Sequence, residues 1–186
     1  MGKEILEFET IDTDKSDEVI TALRSVQQSQ VRLNVLADQK ANINIGFALL
    51  FITLGQSPLV VEVSAQESTR WGVLLVTLSI AISLTLALLV VSPRIGGSRV
   101  KKAEQMANPF YFAMFTQIEQ DDYVDYMLSH LTRNRQARRM ILVDIYQIGR
   151  VLKRKYRLLR FSYAFLAVSG LLSAAIFAYE KLVPAA

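Results

Sequence analysis

An uncharged run of 22 residues, Trp71 to Ser92 (WGVLLVTLSIAISLTLALLVVS), constrains this chain more than any other feature. As a helix it measures about 33 Å at roughly 1.5 Å per residue, enough to cross a hydrocarbon core of about 30 Å. In lipid every backbone N–H and C=O must be bonded within the segment, so the run predicts a transmembrane helix. Trp71 suits the interface, where an indole keeps its ring in lipid and its N–H near water. Arg70 and Pro93-Arg94 close the segment at its two ends.

The remainder of the chain qualifies that reading. With 52% hydrophobic residues, a mean hydropathy of +0.27 and 20% charged residues, the 186-residue chain fits a membrane protein with substantial water-exposed parts. It has no cysteine, which excludes disulfides, thiolate metal sites and cysteine nucleophiles. A single histidine, His130, argues against a histidine metal or acid–base site. No glycine-rich phosphate loop, catalytic triad or metal-ligand spacing occurs, so neither an enzyme nor a cofactor is expected. The pI of about 9.4 gives no warrant for nucleic-acid binding. Met1 to Lys15 is acidic and polar, unlike a secretory signal.

In chain order, residues 1–16 read as a mobile acidic tail. Ser16 or Asp17 can cap a helix starting at Glu18. Over residues 17–42, Val19, Leu23, Val26, Leu33 and Ala37 recur at helical steps with Gln27, Gln28, Ser29, Gln30 and Arg32 between them, an amphipathic helix made to pack on partners. It runs into a first span, 43–62, bent near Pro58. A polar connection, Glu62 to Arg70, joins this to the second span, 71–92. Residues 93–160 are basic and helical. Arg94, Arg99, Lys101 and Lys102 cluster around Gly96-Gly97, followed by an aromatic run, Asn108 to Phe115. Asp121-Asp122 can cap a helix bearing Tyr123, Tyr126, Met127 and His130. A longer helix from near Thr132 carries a seam of Ile141, Ile145, Ile148, Leu152 and Leu159. The third span, 161–179, holds Ala167, Ser169, Gly170, Ser173, Ala174 and Ala175, small residues that admit a neighbouring helix closely. Residues 180–186 form a short external tail. The expected fold is all-α: three transmembrane helices, and a cytoplasmic helical region formed by extensions of the spans.

Charge sets the expected orientation. Residues 94–160 hold fourteen Lys and Arg against six acids, whereas Ser57 to Arg70 holds one base against two acids. The positive-inside rule then makes 94–160 cytoplasmic, the N-terminus internal and Ala186 external. Apolar seams that one chain leaves uncovered predict a homo-oligomer.

Three places offer chemistry. Asp38, Lys40 and Asn42 stand where the first span begins, and charges so close to lipid pair, snorkel or serve a site. Phe110 and Tyr111, behind Asn108-Pro109, form either an interfacial belt or a platform on which a base stacks, worth about 1–3 kcal/mol. The basic residues from Arg133 to Arg160, Arg138 and Lys155 among them, meet either anionic lipid or a phosphate.

These stretches carry a resemblance. Leu36-Ala37-Asp38-Gln39-Lys40-Ala41-Asn42 entering a span resembles the first signature of the transmembrane effectors of Pycsar (pyrimidine cyclase antiphage) systems. Asn108-Pro109-Phe110-Tyr111-Phe112 followed by Tyr123 is similar to their second motif, and Arg154-Lys155-Tyr156 before a small-residue-rich span to their third. The likeness covers roughly residues 20–180. It implies a protein of the bacterial inner membrane that responds to a cyclic nucleotide, cyclic UMP or cyclic CMP, made by a partner nucleotide cyclase during phage infection, and that impairs the membrane. Asp38, Lys40, Asn42, Asn108, Phe110, Tyr111, Tyr123, Arg138 and Lys155 are the candidate ligand-binding residues. The other class of function that remains is a non-enzymatic scaffold or signalling protein whose cytoplasmic helices bind a protein partner.

Overall fold

The computed structural model describes residues 2–58, 60–61, 67–92, 100–132 and 134–182, with side chains described from Glu18 onward. Residues 62–66 of the expected connection, residues 93–99 of the basic cluster around Gly96-Gly97, Arg133 and residues 183–186 lie outside the described residues. Every regular element among the described residues is helical: α1 (Gly2–Gly55), α2 (Glu67–Val91), a 3-10 turn (Ala103–Gln105), α3 (Phe112–Phe115), α4 (Gln120–Leu131) and α5 (Asn134–Leu182). Three stretches of these helices are long and apolar enough to cross a membrane: Glu18–Gly55, Thr69–Val91 and Arg135–Tyr179.

Two boundaries differ from the sequence reading. α1 is helical from Gly2, through the stretch read as a tail; no proline interrupts it and its only early glycine is the first helical residue. At its other end α1 stops at Gly55, and tight turns follow, with Gln56 N–H on the Thr53 carbonyl (3.2 Å) and Ser57 N–H on the Leu54 carbonyl (3.0 Å). Ser57 precedes Pro58, whose ring disfavours helical geometry at the residue before it. The bend expected near Pro58 is therefore a break.

The chain divides into two compact units, residues 1–33 with 93–152 and residues 34–92 with 153–186. In the second unit, the inward residues of each span step by four and three. They are Ala37, Ala41, Asn44, Ala48 and Phe51 on α1; Val73, Val76, Ile80, Ser83, Ala87 and Val90 on α2; and Lys155, Leu159, Ser162, Leu166, Ser169 and Ser173 on α5. A 3.5-residue repeat is the seam of left-handed helix packing. Alanine and serine are prominent among these residues, and many large apolar side chains of the same helices (Leu74, Leu75, Leu78, Phe161, Leu171) are exposed instead. Of the small residues expected to admit a neighbour on α5, Ser169, Gly170 and Ser173 face inward, with Phe51 close to Gly170, while Ala167, Ala174 and Ala175 face out.

The first unit has a different core. Val100, Ala103 and Met106 are buried, with Met114, Phe115, Ile118, Tyr123 and Tyr126 packed on them. α4 starts after Glu119 and carries Asp121 and Asp122 in its first turn, where the helix dipole favours acids. The inward side of α1 here is Leu23, Gln27 and Gln30, whereas Val19, Val26 and Leu33, read as the packing face, are exposed. The reason is what α1 meets: Gln27 donates to the buried carboxyl group of Asp144.

Candidate functional site

The nine candidate residues fall into two groups, one in each unit. In the spanning unit, Asp38 and Lys155 form an ion pair, Nζ to Oδ1 at 2.6 Å, with 37% and 19% of their side chains exposed. One residue after Lys155, Tyr156 offers its ring to Lys40, whose Nζ lies 5.9 Å from the ring centroid. Tyr163 O–H donates to the Lys40 carbonyl at 2.9 Å. The first and third sequence motifs are thus joined side chain to side chain. Asn42, one turn on from Asp38, is exposed.

Below that junction lies a cluster missed by sequence reasoning. Asn44, fully buried, donates through Nδ2 to Oγ of Ser83 (3.3 Å) and Oγ of Ser162. The two serines exchange hydrogen bonds crosswise, Ser83 Oγ to the Ser162 carbonyl (2.8 Å) and Ser162 Oγ to the Ser83 carbonyl (2.7 Å). Both hydroxyl protons are therefore committed, so the serine oxygens can only accept, and the amide NH2 must face them. All three spans meet in this cluster. Single polar residues 39 and 118 positions apart carry no spacing signal, which is why the sequence does not announce it.

In the other unit Asn108 is almost fully buried and holds the second motif in place. Its Nδ2 donates to Asp144 Oδ1 (2.8 Å) and Gln147 Oε1 (3.2 Å), and its Oδ1 accepts from Phe110 N–H (3.0 Å). Tyr123 O–H donates to the Pro109 carbonyl (3.2 Å), and its ring stacks on Phe115 at 5.1 Å. Asn108 and Tyr123 thus shape the loop, while Phe110 and Tyr111 remain half-exposed, Tyr111 edge-on to Phe112 at 5.2 Å. Arg138 is half-buried, and its Nε has no hydrogen-bond partner among the described residues. Gln27, Asp144 and Gln147, which complete the Asn108 network, escaped the sequence reading because polar residues on a helix normally mark a solvated face.

The same unit has an open groove of about 480 Å³ lined by Lys102, Glu104, Asp122, Asp125, Tyr126 and His130. His130 stacks on Tyr126 at 4.1 Å and its Nδ1 lies 2.8 Å from the Tyr126 carbonyl. Three acids against one lysine make this groove unfavourable for a phosphate. No group of acids and histidine suited to a metal ion occurs among the described residues.

What these features define is an all-helical membrane protein with three helices able to span the bilayer and a group of polar motif residues in each of its two units. The chain belongs to the Pycsar effector protein domain family, PycTM, which it matches over residues 19–180, and so to the bacterial antiphage effectors. No curated protein sequence and no solved structure gives a significant match to it.

Proposed function

We propose that this protein is the membrane-impairing effector of a two-component defence, switched on by a cyclic nucleotide from a partner cyclase and devoid of catalytic chemistry. The observation that supports a switch is the Asp38–Lys155 pair, which ties the first motif to the third where α1 and α5 enter their spans. The half-exposed Phe110 and Tyr111 offer the stacking surface for a base, and Arg138, with Nε unused, offers a cation to the cyclic phosphate. A ligand moves a two-state element only by its differential affinity, and about 5.5 kcal/mol takes it from almost all closed to almost all open. A stacked base and a charge-assisted phosphate contact are of the size to supply that between them.

The same reading places the protein in the inner membrane, N-terminus inside and C-terminus outside, on the basic excess of 94–160. It also takes the protein to be a homo-oligomer. Val19, Val26 and Leu33, exposed at seven-residue intervals, form a stripe that matching stripes on other copies cover when all copies insert in one direction.

The test is binding of cyclic UMP and cyclic CMP to the detergent-solubilised full chain, followed by dye release from proteoliposomes with each nucleotide. Binding with release is the expected result. Tyr111→Ala and Lys40→Ala should insert normally and lose nucleotide-dependent release; Asp38→Ala should lose it or release without nucleotide. If neither nucleotide binds, or if all three variants behave as the parent, this reading fails.

A further inference from the structure

The inner faces of the spanning unit fall into two layers. Ala41, Val90 and Leu159, one residue from each long helix, form a buried apolar cluster with Leu158 and Tyr163 packed against it. One turn further into the spans, on α1 and α5, stand Asn44 and Ser162, joined to Ser83 of α2. Ser79, a turn beyond Ser83, donates to the Phe165 carbonyl at 2.8 Å, and Ser169 is fully buried on the same side of α5 as Ser162. The polar layer holds one unmet demand: Asn44 Oδ1 is buried and accepts no hydrogen bond among the described residues. The amide NH2 faces the two serines, whose own protons are committed, so neither serine serves that oxygen. An unmet acceptor in apolar surroundings is costly, and water reaching it would remove that cost.

The outer faces offer water nothing comparable. Thr53, Thr77 and Thr85 are exposed there, and each hydroxyl is turned onto a carbonyl of its own helix, at Leu49 (3.0 Å), Val73 (2.9 Å) and Ala81 (2.8 Å). No charged residue occurs from Trp71 to Ser92 or from Phe161 to Tyr179. Of the described side chains in the spans, only the inner ones are placed to line a path for water. The apolar layer closes that path, since an apolar constriction excludes ions by dewetting with no charge of its own. We infer that Asn44, Ser83 and Ser162 line a path for water and small ions, and that Ala41, Val90 and Leu159 are its gate. This gate presupposes the membrane-impairing reading above and gives it a place of action. Asp38 precedes Ala41 by three residues and Lys155 precedes Leu159 by four, so the ion pair stands one helical turn from the gate. A lining without charge passes cations and anions alike.

The test uses the full chain in liposomes of phosphatidylethanolamine and phosphatidylglycerol, with no nucleotide added, and reads potassium and chloride efflux per inserted protein. Leu159→Asn and Val90→Thr should each raise the efflux of both ions. For Leu159→Asn the rise should be about tenfold, which corresponds to about 1.4 kcal/mol in the closed–open equilibrium. Val90→Thr keeps the shape of its side chain, so the test does not hang on whether Leu159→Asn folds. Leu75→Asn and Leu171→Asn, on the outer faces, should leave efflux at the parent level. Ser83→Cys, the sole cysteine in its chain, should react with a charged thiosulfonate reagent faster when combined with Val90→Thr, and Leu75→Cys should not. Unchanged efflux in every gate variant that inserts overturns the gate. So does an equal rise in Leu75→Asn, which assigns the leak to disturbed lipid, and an unreactive Ser83→Cys in a leaking variant overturns the lining. If the parent releases dye with nucleotide while the gate variants stay tight, the gate falls and the effector reading stands. Leaking gate variants beside a parent that no nucleotide activates leave the gate standing and remove the nucleotide signal.

Discussion

The two units solve the problem of burying polar groups in opposite ways. In the first unit, Asp144 and Asn108 are buried in a unit whose core is Val100, Met106 and aromatic side chains, and two amides from different segments, Gln27 and Asn108, converge on the Asp144 carboxyl group. In the second unit the interior is rich in alanine and serine and holds Asn44, with Ile80, Val90 and Leu159 as its buried large apolar residues, while many other large apolar side chains point out. Water drives the first arrangement, because apolar area withdrawn from it is stabilising. Lipid cannot, since a leucine gains little by leaving one hydrocarbon for another; close backbone approach and inter-helical hydrogen bonds hold the second. The same 3.5-residue repeat therefore carries different side chains along one helix, Leu23, Gln27 and Gln30 and then Ala37, Ala41 and Asn44.

The largest expected effect comes from testing the outer surfaces. Leu78→Asp places a charge on the lipid face near the middle of α2 and should oppose insertion by about 2.5–3.5 kcal/mol, read as loss of the membrane-inserted fraction. Leu128→Asp, on the exposed face of α4, should alter stability by about 0.5 kcal/mol or less. Equal effects would abolish the contrast.

Next come the buried clusters. Asn108→Leu strands Asp144 Oδ1 and Gln147 Oε1 and should destabilise its unit by about 2–3 kcal/mol, seen as accelerated limited proteolysis within residues 100–131. Ser83→Ala removes hydrogen bonds of similar number inside the spans. It should cost only about 0.6 kcal/mol, and at most about 1.7, in denaturation from mixed micelles. A larger loss for Ser83→Ala than for Asn108→Leu would reverse the comparison.

The smallest effects come from two helical glycines. At Gly149 an added Cβ would lie 3.5 Å from Gln30 Nε2, an ordinary contact, so Gly149→Ala should stabilise by about 0.5–1 kcal/mol through helix propensity. At Gly72 the added Cβ would stand 2.8 Å from Ile176 Cδ1, so Gly72→Ala must displace that side chain and should show no gain. Melting temperatures of the two variants in one detergent decide it.

The spans were legible because hydropathy over some twenty residues is a property of the segment itself. So was the α5 seam, where Ile141, Ile145, Ile148 and Leu159 lie on the inward side. α1 was legible as a helix but not in its rotation: valines and leucines looked like the packed face, yet the partner across from Gln27 is the Asp144 carboxyl group, 117 residues away. Within the candidate site, Asp38 stood out as a charge close to lipid that needs a partner, but the sequence did not say that the partner is Lys155, again 117 residues distant. Local periodicity reports which side chains share a face; it does not report what that face will meet.

The crosswise exchange between Ser83 and Ser162 has one more consequence. An interface of alanines and serines is smooth, and two such helices can slide past one another with little change in contact area. Each serine here grips the other's backbone, so a shift of even one residue breaks both bonds together and strands Asn44 as well. With Ser79 Oγ on the Phe165 carbonyl (2.8 Å) about one turn away, the pair makes one axial alignment of α2 and α5 unique, as teeth do on an otherwise plain rack. Uniqueness and stability are separable: a chain without these cross-helix serine bonds can stay folded and inserted while populating several alignments in place of one.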